Sequence, residues 1–224
     1  MLDTYKFIEK YKRISIIGME KNVGKTTLLN KLIADIGKTK KLGLTSIGRD
    51  GEDIDVVTNT DKPRIYVRKG SIIATGRNCL AKCDITKEIL YVTDFTTPMG
   101  SIVLVRALSD GYVDIAGPSY NKQVKIIVEL MEKFGSEISI VDGALGRKST
   151  AISDVSEATI LSTGAALSLD MLKVVEETQK TVYFLRLEEI DSEIKEKIKE
   201  FKDEKAALFY KNGEVVILEV DNSI

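Results

Sequence analysis

The chain has 224 residues, enough for one well-filled domain with peripheral additions but too few for a second large core. Its 33 lysines and arginines are balanced by 34 acidic residues, and a net charge of -1 gives no footprint for a nucleic acid or an anionic membrane. There is no histidine, which excludes histidine-based hydrolases and histidine-zinc enzymes.

Hydropathy and cysteine content exclude further classes of protein. No apolar run approaches the roughly 20 residues that span a bilayer, and residues 1–12 are too polar for a secretory signal. We therefore expect a cytoplasmic protein without a membrane partner. Cys79 and Cys83 are too few for a disulfide framework, and their spacing is a poor zinc pattern. Both are expected to be plain thiols, buried or partly buried.

The first fifty residues predict a helix, a strand, a loop, a helix and a strand. Residues 1–12 place apolar side chains at helical spacing, which indicates a short amphipathic helix. Arg13–Gly18 (RISIIG) is a β-branched run typical of a strand buried on both faces. A second strand is predicted at residues 42–47, so that the two strands form a βαβ unit with a right-handed crossover. The helix between them, Lys25–Ile36, has one apolar face formed by Leu28, Leu29, Leu32, Ile33 and Ile36.

Residues 64–117 show a different pattern, with alternation around turn residues. Residues 63–75 alternate around Lys69 and Gly70, and residues 101–107 and 111–116 alternate around a second turn, which predicts two hairpins. We expect a β-rich insertion beside the parallel core.

The turns at residues 96–100 and 112–119 have the composition of loops that shape substrate pockets, although their residues name no chemistry.

A parallel-sheet pattern resumes after this insertion. The spacing predicts a helix at residues 122–134, strands at 137–142 and 158–161, a helix near 165–179 and a strand at 181–187. The last 37 residues, 188–224, are expected to form a charged helix at 190–205 and a hairpin at 209–220 around Asn212 and Gly213. The predicted fold class is therefore α/β, with a mostly parallel sheet flanked by helices, in one domain over residues 1–224.

Residues 18–27 (GMEKNVGKTT) carry the chemistry of a phosphate-binding P-loop, or Walker A motif. A glycine before the lysine lets the backbone approach phosphate, the lysine supplies charge to the β and γ phosphates, and the next hydroxyl binds Mg²⁺. The helix that begins there aims its amides and its dipole at the same anion. We expect ATP as the nucleotide, because no guanine-specific motif is evident. The expected binding residues are Gly18, Lys21, Asn22, Val23, Gly24, Lys25, Thr26 and Thr27.

Two acidic residues follow predicted strands at the edge where open α/β sheets bind ligands. Asp142 is the candidate second Mg²⁺ ligand beside Thr26, and a simple cap of the following turn is the alternative. Asp50 is a further candidate metal ligand, although an exposed turn explains it equally well. Lys25, Asp142 and Asp50 are thus the candidate catalytic residues.

The spacing within the loop points to a particular branch of P-loop proteins. Gly18 and Gly24 enclose five residues instead of the usual four. With Val23, Lys25 and Thr26, this loop resembles that of the dethiobiotin synthetase and cobyrinic acid amidating families, whose VEGAGG strand end resembles VDGALG at residues 141–146. The resemblance implies a P-loop NTPase fold, and it stops at the insertion, where the substrate-binding pattern of those families is not visible.

A second resemblance extends over more of the chain. Residues 16–27, 44–53, 106–119 and 140–148 resemble a subunit associated with clostridial-type lysine aminomutases, which is regarded as part of an ATP-using reactivase for that cobalamin-dependent enzyme. The resemblance implies an ATPase that acts as a conformational switch on this protein partner. Related folds also imply a homodimer.

Two other functions remain open. The chain is alternatively an ATP-dependent small-molecule enzyme that phosphorylates a carboxylate. This enzyme needs a cluster of basic and polar groups opposite the P-loop, for which the candidates are Arg49, Arg106, Arg147 and Lys148. It is also consistent with a nucleotide-binding structural subunit that hydrolyses nothing.

Overall fold

A computed structural model describes residues 6, 8–48, 64–143, 155–188, 190–201, 204, 206–210 and 212–218. The chain divides into two compact units, Met1–Thr178 and Gln179–Ile224. The strands are β1 Arg13–Gly18, β2 Leu42–Ser46, β3 Ile65–Val67, β4 Ile72–Gly76, β5 Lys87–Thr97, β6 Gly100–Ala107, β7 Gly111–Val113, β8 Ile138–Asp142, β9 Ala158–Ser162, β10 Ala207–Phe209 and β11 Val215–Ile217. The helices are α1 Lys25–Ile36, α2 Arg77–Leu80, α3 Asn121–Lys133, α4 Met171–Leu185 and α5 Ser192–Glu200.

The first unit contains a seven-stranded sheet in the order β5-β6-β4-β2-β8-β1-β9. The five strands from β4 to β9 in that order are parallel to one another. At one edge, β6 and β5 continue the sheet in antiparallel orientation. The prediction of an α/β fold with a mostly parallel sheet flanked by helices is confirmed.

Helices α1 and α3 cover opposite faces of this sheet. Residues three and four apart face the same side of a helix, so each helix buries one apolar stripe. The α1 stripe packs in one apolar cluster, and the α3 stripe packs in a second cluster on the other face. Each fully buried leucine or isoleucine contributes about 1.5–3 kcal/mol relative to its exposed state. The buried stripe residues are Leu29, Leu32, Ile33 and Ile36 of α1, and Val124, Ile127, Val128 and Met131 of α3.

The crossover from β1 through α1 to β2 passes over one strand position. The two strands are parallel, as expected, but β8 lies between them and pairs with both. The carboxyl end of β8 therefore lies directly beside the carboxyl end of β1, where the glycine-containing loop begins.

The two hairpins predicted for residues 63–75 and 101–116 are wrong. Gly70 does turn the chain, at φ 92°, but β3 pairs with β7 in a separate two-stranded sheet, while β4 and β6 are neighbours in the main sheet. Alternation predicts a strand without specifying its partner. Because β4 is buried along its whole length, it requires a central position that a hairpin beside the core does not provide.

The same topology corrects the placement of the predicted insertion. Residues 64–117 do not form a unit beside the parallel core, because β4 extends it in parallel with β2 and β6 continues from β4. The sequence prediction also missed β5, which forms the actual hairpin with β6.

Helix α4 replaces two predicted elements. The helix expected near residues 165–179 begins at Met171, where the Asp170 side chain accepts a hydrogen bond from the Leu172 N–H at 2.9 Å, an N-cap contact. The strand predicted at residues 181–187 is wrong, since α4 continues to Leu185. Extending a formed helix adds one hydrogen bond per residue, and this overrides the β-propensity of its last residues.

The second unit contains α5 and the β10–β11 hairpin, which confirms the predicted C-terminal helix and hairpin. Gly213 has φ 89° in the turn, as a glycine at this position permits. The Phe201 and Phe209 rings meet edge to face with centroids 5.6 Å apart. This contact links the end of α5 to the hairpin.

Glu137, the residue before β8, forms hydrogen bonds with the two residues that precede β2. Its carboxylate accepts hydrogen bonds from the Lys41 N–H at 2.8 Å and the Lys40 Nζ at 3.0 Å. The Lys41 amide and then the Lys40 ammonium lower the pKa of Glu137 in the folded protein. A lowered folded-state pKa stabilises the fold above the unfolded-state value, and the contribution is lost as the pH falls through the folded-state value.

We expect Glu137→Gln to lower the free energy of unfolding at pH 7 by about 0.5 kcal/mol, a small effect because the side chain is 43% exposed. The difference from the parent chain should disappear at an acidic pH below the lowered folded-state pKa of Glu137, where the parent carboxyl is protonated. Urea denaturation at both pH values measures this. Glu176→Gln, at an exposed glutamate of α4, serves as the control and should change the free energy of unfolding by less than about 0.5 kcal/mol. An equal loss at both pH values would contradict the charge-based explanation.

Candidate functional site

The glycine loop, defined as residues 18–27, joins β1 to α1. Gly18 is the last residue of the strand, and Lys25 is the first residue of the helix. The Met19 N–H donates to the Ser162 carbonyl at 2.9 Å, which ties the start of the loop to the end of β9. The Leu28 N–H donates to the Gly24 carbonyl at 2.9 Å and begins the helical hydrogen bonding. Both ends of the loop are thus fixed to regular structure.

The backbone of the glycine loop enters the left-handed region twice. Asn22 has φ 59° and Gly24 has φ 85°. Asparagine tolerates this region better than most residues, and glycine adopts it without strain. A Cβ at Gly24 would have no neighbour within 4 Å, so this position requires glycine for its conformation and not for space. Left-handed residues of this kind turn successive amides toward one point, as in anion-binding backbone nests.

The side chain of Lys25 runs back over the loop. Its Nζ donates to the Glu20 carbonyl at 2.9 Å. A Cβ at Gly18 would lie 2.7 Å from this Nζ and 2.7 Å from Cγ2 of Val23. Gly18 therefore leaves the space that the ammonium occupies, and Val23, which is only 9% exposed, anchors the loop in the core. The arrangement places the Lys25 ammonium over the glycine loop at the start of a helix, and a cation beside a helix N-terminus is chemistry that suits a phosphate group.

Asp142 lies at the same edge of the sheet, on the strand next to β1. It is in register with Ile16 of β1 and Ser46 of β2. The Gly143 N–H donates to the Ile16 carbonyl at 2.9 Å, and the Ile47 N–H donates to the Asp142 carbonyl at 2.7 Å. The backbone at Asp142 is thus held from both sides.

The donor set at this edge suits a hard cation. The Asp142 side chain is half-buried, with its Oδ1 buried, and Thr26 is half-buried in the first turn of α1. A carboxylate and a hydroxyl beside phosphate oxygens are ligands that Mg²⁺ prefers. Among the described residues no group of three or more acidic or cysteine side chains clusters as a metal site. The predicted Mg²⁺ site does not require such a cluster, because the nucleotide itself provides oxygens.

The remaining predicted loop residues are exposed. The Lys21 N–H donates to Oε1 of Glu20 at 2.8 Å, and its side chain is exposed, as is that of Thr27. The structure therefore brings together Gly18, Val23, Gly24 and Lys25 in direct contact or succession, and it places Asp142 on the adjacent strand end.

A second segment, called the strap and defined as residues 114–118, crosses the carboxyl ends of β2 and β4. The Thr75 hydroxyl donates to the Asp114 carbonyl at 3.0 Å and accepts from the Ala116 N–H at 2.9 Å. The Ser46 hydroxyl accepts from the Gly117 N–H at 2.9 Å. The strap therefore lies along the same sheet edge as the glycine loop.

The β5–β6 turn reaches this edge as well. The Asn78 N–H donates to the Met99 carbonyl at 3.0 Å, and a Cβ at Gly76 would lie 2.6 Å from that of Met99. The two turns singled out in the sequence are thus at the edge that carries the loop. The hydroxyl groups of Ser46 and Thr75 were not predicted, although polar residues at the ends of buried strands are a signal that could have identified them.

Other predicted groups are elsewhere or not described. Arg106 is opposite Ile72, the first residue of β4. It therefore lies at the amino ends of the parallel strands, whereas the glycine loop lies at their carboxyl ends. It forms an ion pair with Glu88 at 2.6 Å. Its predicted place opposite the loop is wrong. Asp50, Arg49, Arg147 and Lys148 lie outside the described residues.

The burial of the two cysteines is as expected. Cys79 is buried and Cys83 is partly buried, and within the described residues neither is part of a disulfide. The Cys83 Sγ accepts a hydrogen bond from the Lys87 Nζ at 3.1 Å and donates to the Leu80 carbonyl at 3.0 Å.

Comparison with known proteins gives no family assignment. No protein-family model, no curated protein and no solved structure matches this chain. Within the described residues, no helix combines the length and the apolar character needed to cross a membrane. The resemblances drawn from the loop and the strand ends therefore stay predictions, and the functional argument rests on the geometry of the site.

Proposed function

We propose that this chain binds Mg-ATP in the glycine loop and hydrolyses it slowly, as a conformational switch on a protein partner. The observation that supports the proposal most directly is the Lys25 ammonium, which lies over Gly18 at the end of β1, the strand that pairs with the Asp142 strand β8. Lys25 Nζ and the loop amides are donors that bind phosphate, and Thr26 and Asp142 are the residues that would hold Mg²⁺. The metal supplies charge neutralisation for the β and γ phosphates when it is bound.

A slow basal rate follows from the side chains that are present. Phosphoryl transfer depends mainly on positioning and charge stabilisation, but the attacking water must still be oriented and lose a proton. The chain has no histidine, so carboxylates are the groups left for this role. A partner that completes the site would raise the rate. Resemblance to the reactivase subunit makes a cobalamin-dependent lysine aminomutase the first partner to test.

The alternative, phosphorylation of a small carboxylic acid, is favoured by one observation. The strap and the β5–β6 turn lie at the same edge as the glycine loop, where a second substrate would bind. The position of Arg106 argues against this alternative, because Arg106 lies at the amino ends of the parallel strands and forms an ion pair with Glu88. This leaves the carboxylate without one of its expected basic contacts, and we therefore prefer the switch.

The experiment that separates these functions measures ATP turnover by the pure chain. We expect negligible phosphate release from the chain alone, no stimulation by a panel of small mono- and dicarboxylic acids, and stimulation of about tenfold or more by the aminomutase. Stimulation by a carboxylic acid would support the enzyme instead. If the chain binds ATP but does not hydrolyse it under any of these conditions, its function is that of a nucleotide-binding structural subunit.

Replacing Asp142 tests the proposed metal site. We expect Asp142→Asn to reduce the Mg²⁺-dependent gain in ATP affinity by about tenfold, because an amide binds a divalent cation more weakly than a carboxylate. Affinity for ATP without Mg²⁺ should change by less than about twofold. Titration calorimetry with and without Mg²⁺ gives both values. Asp35→Asn on α1, whose carboxylate pairs with Lys31, is the matched control. An unchanged Mg²⁺ response in the Asp142 variant would contradict the assignment.

A further inference from the structure

The N–H groups of the glycine loop form a run of backbone donors. Among the described residues, none accepts a hydrogen bond from the N–H groups of residues 22–27. The first N–H groups of a helix have no acceptor within the helix, and the left-handed Asn22 and Gly24 turn neighbouring amides toward one point. A run of this kind attracts an anion, and the phosphate chain is the anion of the proposed function.

The amide that precedes this run, that of Lys21, has a partner. Its N–H donates to Oε1 of Glu20 at 2.8 Å. Within the described part of the chain, this carboxylate is the one side-chain group bonded to an amide of residues 21–27. A carboxylate oxygen and a phosphate oxygen are both anionic acceptors, and an amide with a single hydrogen donates fully to only one of them.

Glu20 also accepts a hydrogen bond from the lysine of the loop. The Lys25 Nζ donates to the Glu20 backbone carbonyl at 2.9 Å. The carboxylate and the carbonyl of one residue therefore satisfy the Lys21 amide and the Lys25 ammonium. Both contacts are exposed. Water can replace them, so an incoming anion can displace them at a small cost in free energy.

We propose that the Glu20 carboxylate is a built-in competitor of the phosphate chain. It holds the Lys21 amide before a nucleotide binds, and it leaves this amide when the β and γ phosphates bind. The inference rests on the proposed function, because it concerns the regulation of the same nucleotide site. The Glu20 side chain is exposed, so it can turn into solvent while β1 and α1 keep their positions.

This competition lowers the apparent affinity for the nucleotide. When a binding-competent state is only partly populated, the apparent dissociation constant rises by the inverse of that population. A contact that is formed about 80% of the time leaves the Lys21 amide free about 20% of the time, which weakens binding about fivefold. The carboxylate also repels the bound phosphate chain, which adds to the loss.

Glu20→Gln tests the effect on affinity, because it removes the charge and keeps the size of the side chain. We expect Mg-ATP to bind about fivefold or more tightly to this variant than to the parent chain. Inorganic triphosphate, which has neither base nor ribose, should gain by the same factor to within about twofold. Titration calorimetry of the full chain measures both affinities.

Glu129→Gln is the matched control. Glu129 is an exposed glutamate of α3, and its replacement changes the net charge by the same amount. The affinity of this variant for Mg-ATP should stay within about twofold of the parent value, because distant exposed charges are screened. An equal gain in both variants would overturn the inference, since net charge would then determine the affinity.

The proton resonance of the Lys21 amide reports the contact itself. A charge-assisted hydrogen bond moves an amide proton downfield, so we expect an upfield shift of this resonance in Glu20→Gln without nucleotide. The shift should exceed that of the Leu130 amide in Glu129→Gln, which measures the effect of the same replacement on the next residue. Amide NMR spectra of the three chains give both values. If the two shifts are equal, the carboxylate does not hold the Lys21 amide and the inference is wrong.

The binding results separate this inference from the proposed function. If the parent chain binds Mg-ATP and Glu20→Gln binds it with the same affinity, the inference is wrong and the nucleotide site stands. If neither chain binds ATP or triphosphate, the proposed function and the inference are both wrong. A gain for ATP without a gain for triphosphate would also overturn the inference, because Glu20 would then act on the base or the ribose.

Discussion

Lys25→Ala is expected to weaken ATP binding by about 100-fold or more. The variant removes the positive charge that lies over Gly18 inside the glycine loop. Charge-assisted hydrogen bonds contribute about 1.5–3 kcal/mol each, and in the proposed complex Lys25 would contact more than one phosphate oxygen. Without nucleotide its Nζ donates to the Glu20 carbonyl, an exposed contact, so the loss of folding stability should be small. Titration calorimetry with Mg-ATP measures the affinity.

The control for this variant is Lys31→Ala on the same helix. Lys31 forms an exposed pair with Asp35 at 2.6 Å, one turn beyond the loop. Its removal changes the net charge by the same amount and should leave ATP affinity within about twofold. If the Lys25 variant retained the affinity of the parent chain, phosphate binding by the glycine loop would be wrong.

Gly117→Ala, which adds one methyl group to the strap, is expected to cause a large loss of folding stability. A Cβ at Gly117 would lie 1.8 Å from the Ser46 carbonyl oxygen and 2.9 Å from Oγ1 of Thr45. Relief of this overlap requires the strap to move away from β2, which breaks the buried hydrogen bond from the Gly117 N–H to the Ser46 hydroxyl. We expect a loss of about 3 kcal/mol in the free energy of unfolding.

Thermal and urea denaturation check this expectation, with Gly164→Ala as control. A Cβ at Gly164 would have no neighbour within 4 Å, so this variant should change stability by less than about 0.5 kcal/mol. A loss of 3 kcal/mol corresponds to a fall of about 6–12 °C in Tm for a chain of this size. A Gly117 variant as stable as the parent would show that the strap does not lie against β2.

The local elements around the loop could be predicted from the sequence because their signals are local. The predicted β1 and α1 have the observed bounds, since a short β-branched run and a helical apolar stripe are each complete within a few residues. Strand partners were not predictable in the same way. The pairing of β3 with β7, and of β4 with β2 and β6, depends on contacts between residues far apart in the chain.

The candidate site also combines features that the local sequence predicts with features that depend on contacts between distant residues. The sequence places Gly24 and Lys25 at a helix start and Asp142 at a strand end, and each position is confirmed as an element boundary. That β8 lies directly beside β1 is a property of the sheet order, which no local pattern determines. The strap was noted only as a turn-rich segment, because the hydroxyl groups that hold it come from strands about 40 to 70 residues away.

The most direct measurement is a crystal structure of the chain with Mg²⁺ and a non-hydrolysable ATP analogue. We expect β and γ phosphates in the glycine loop, with the Lys25 Nζ moved from the Glu20 carbonyl to a phosphate oxygen. We also expect Mg²⁺ bound by the Thr26 hydroxyl and, directly or through one water, by Asp142. Density for the nucleotide at another site, with Lys25 still bonded to the Glu20 carbonyl, would contradict the central claim.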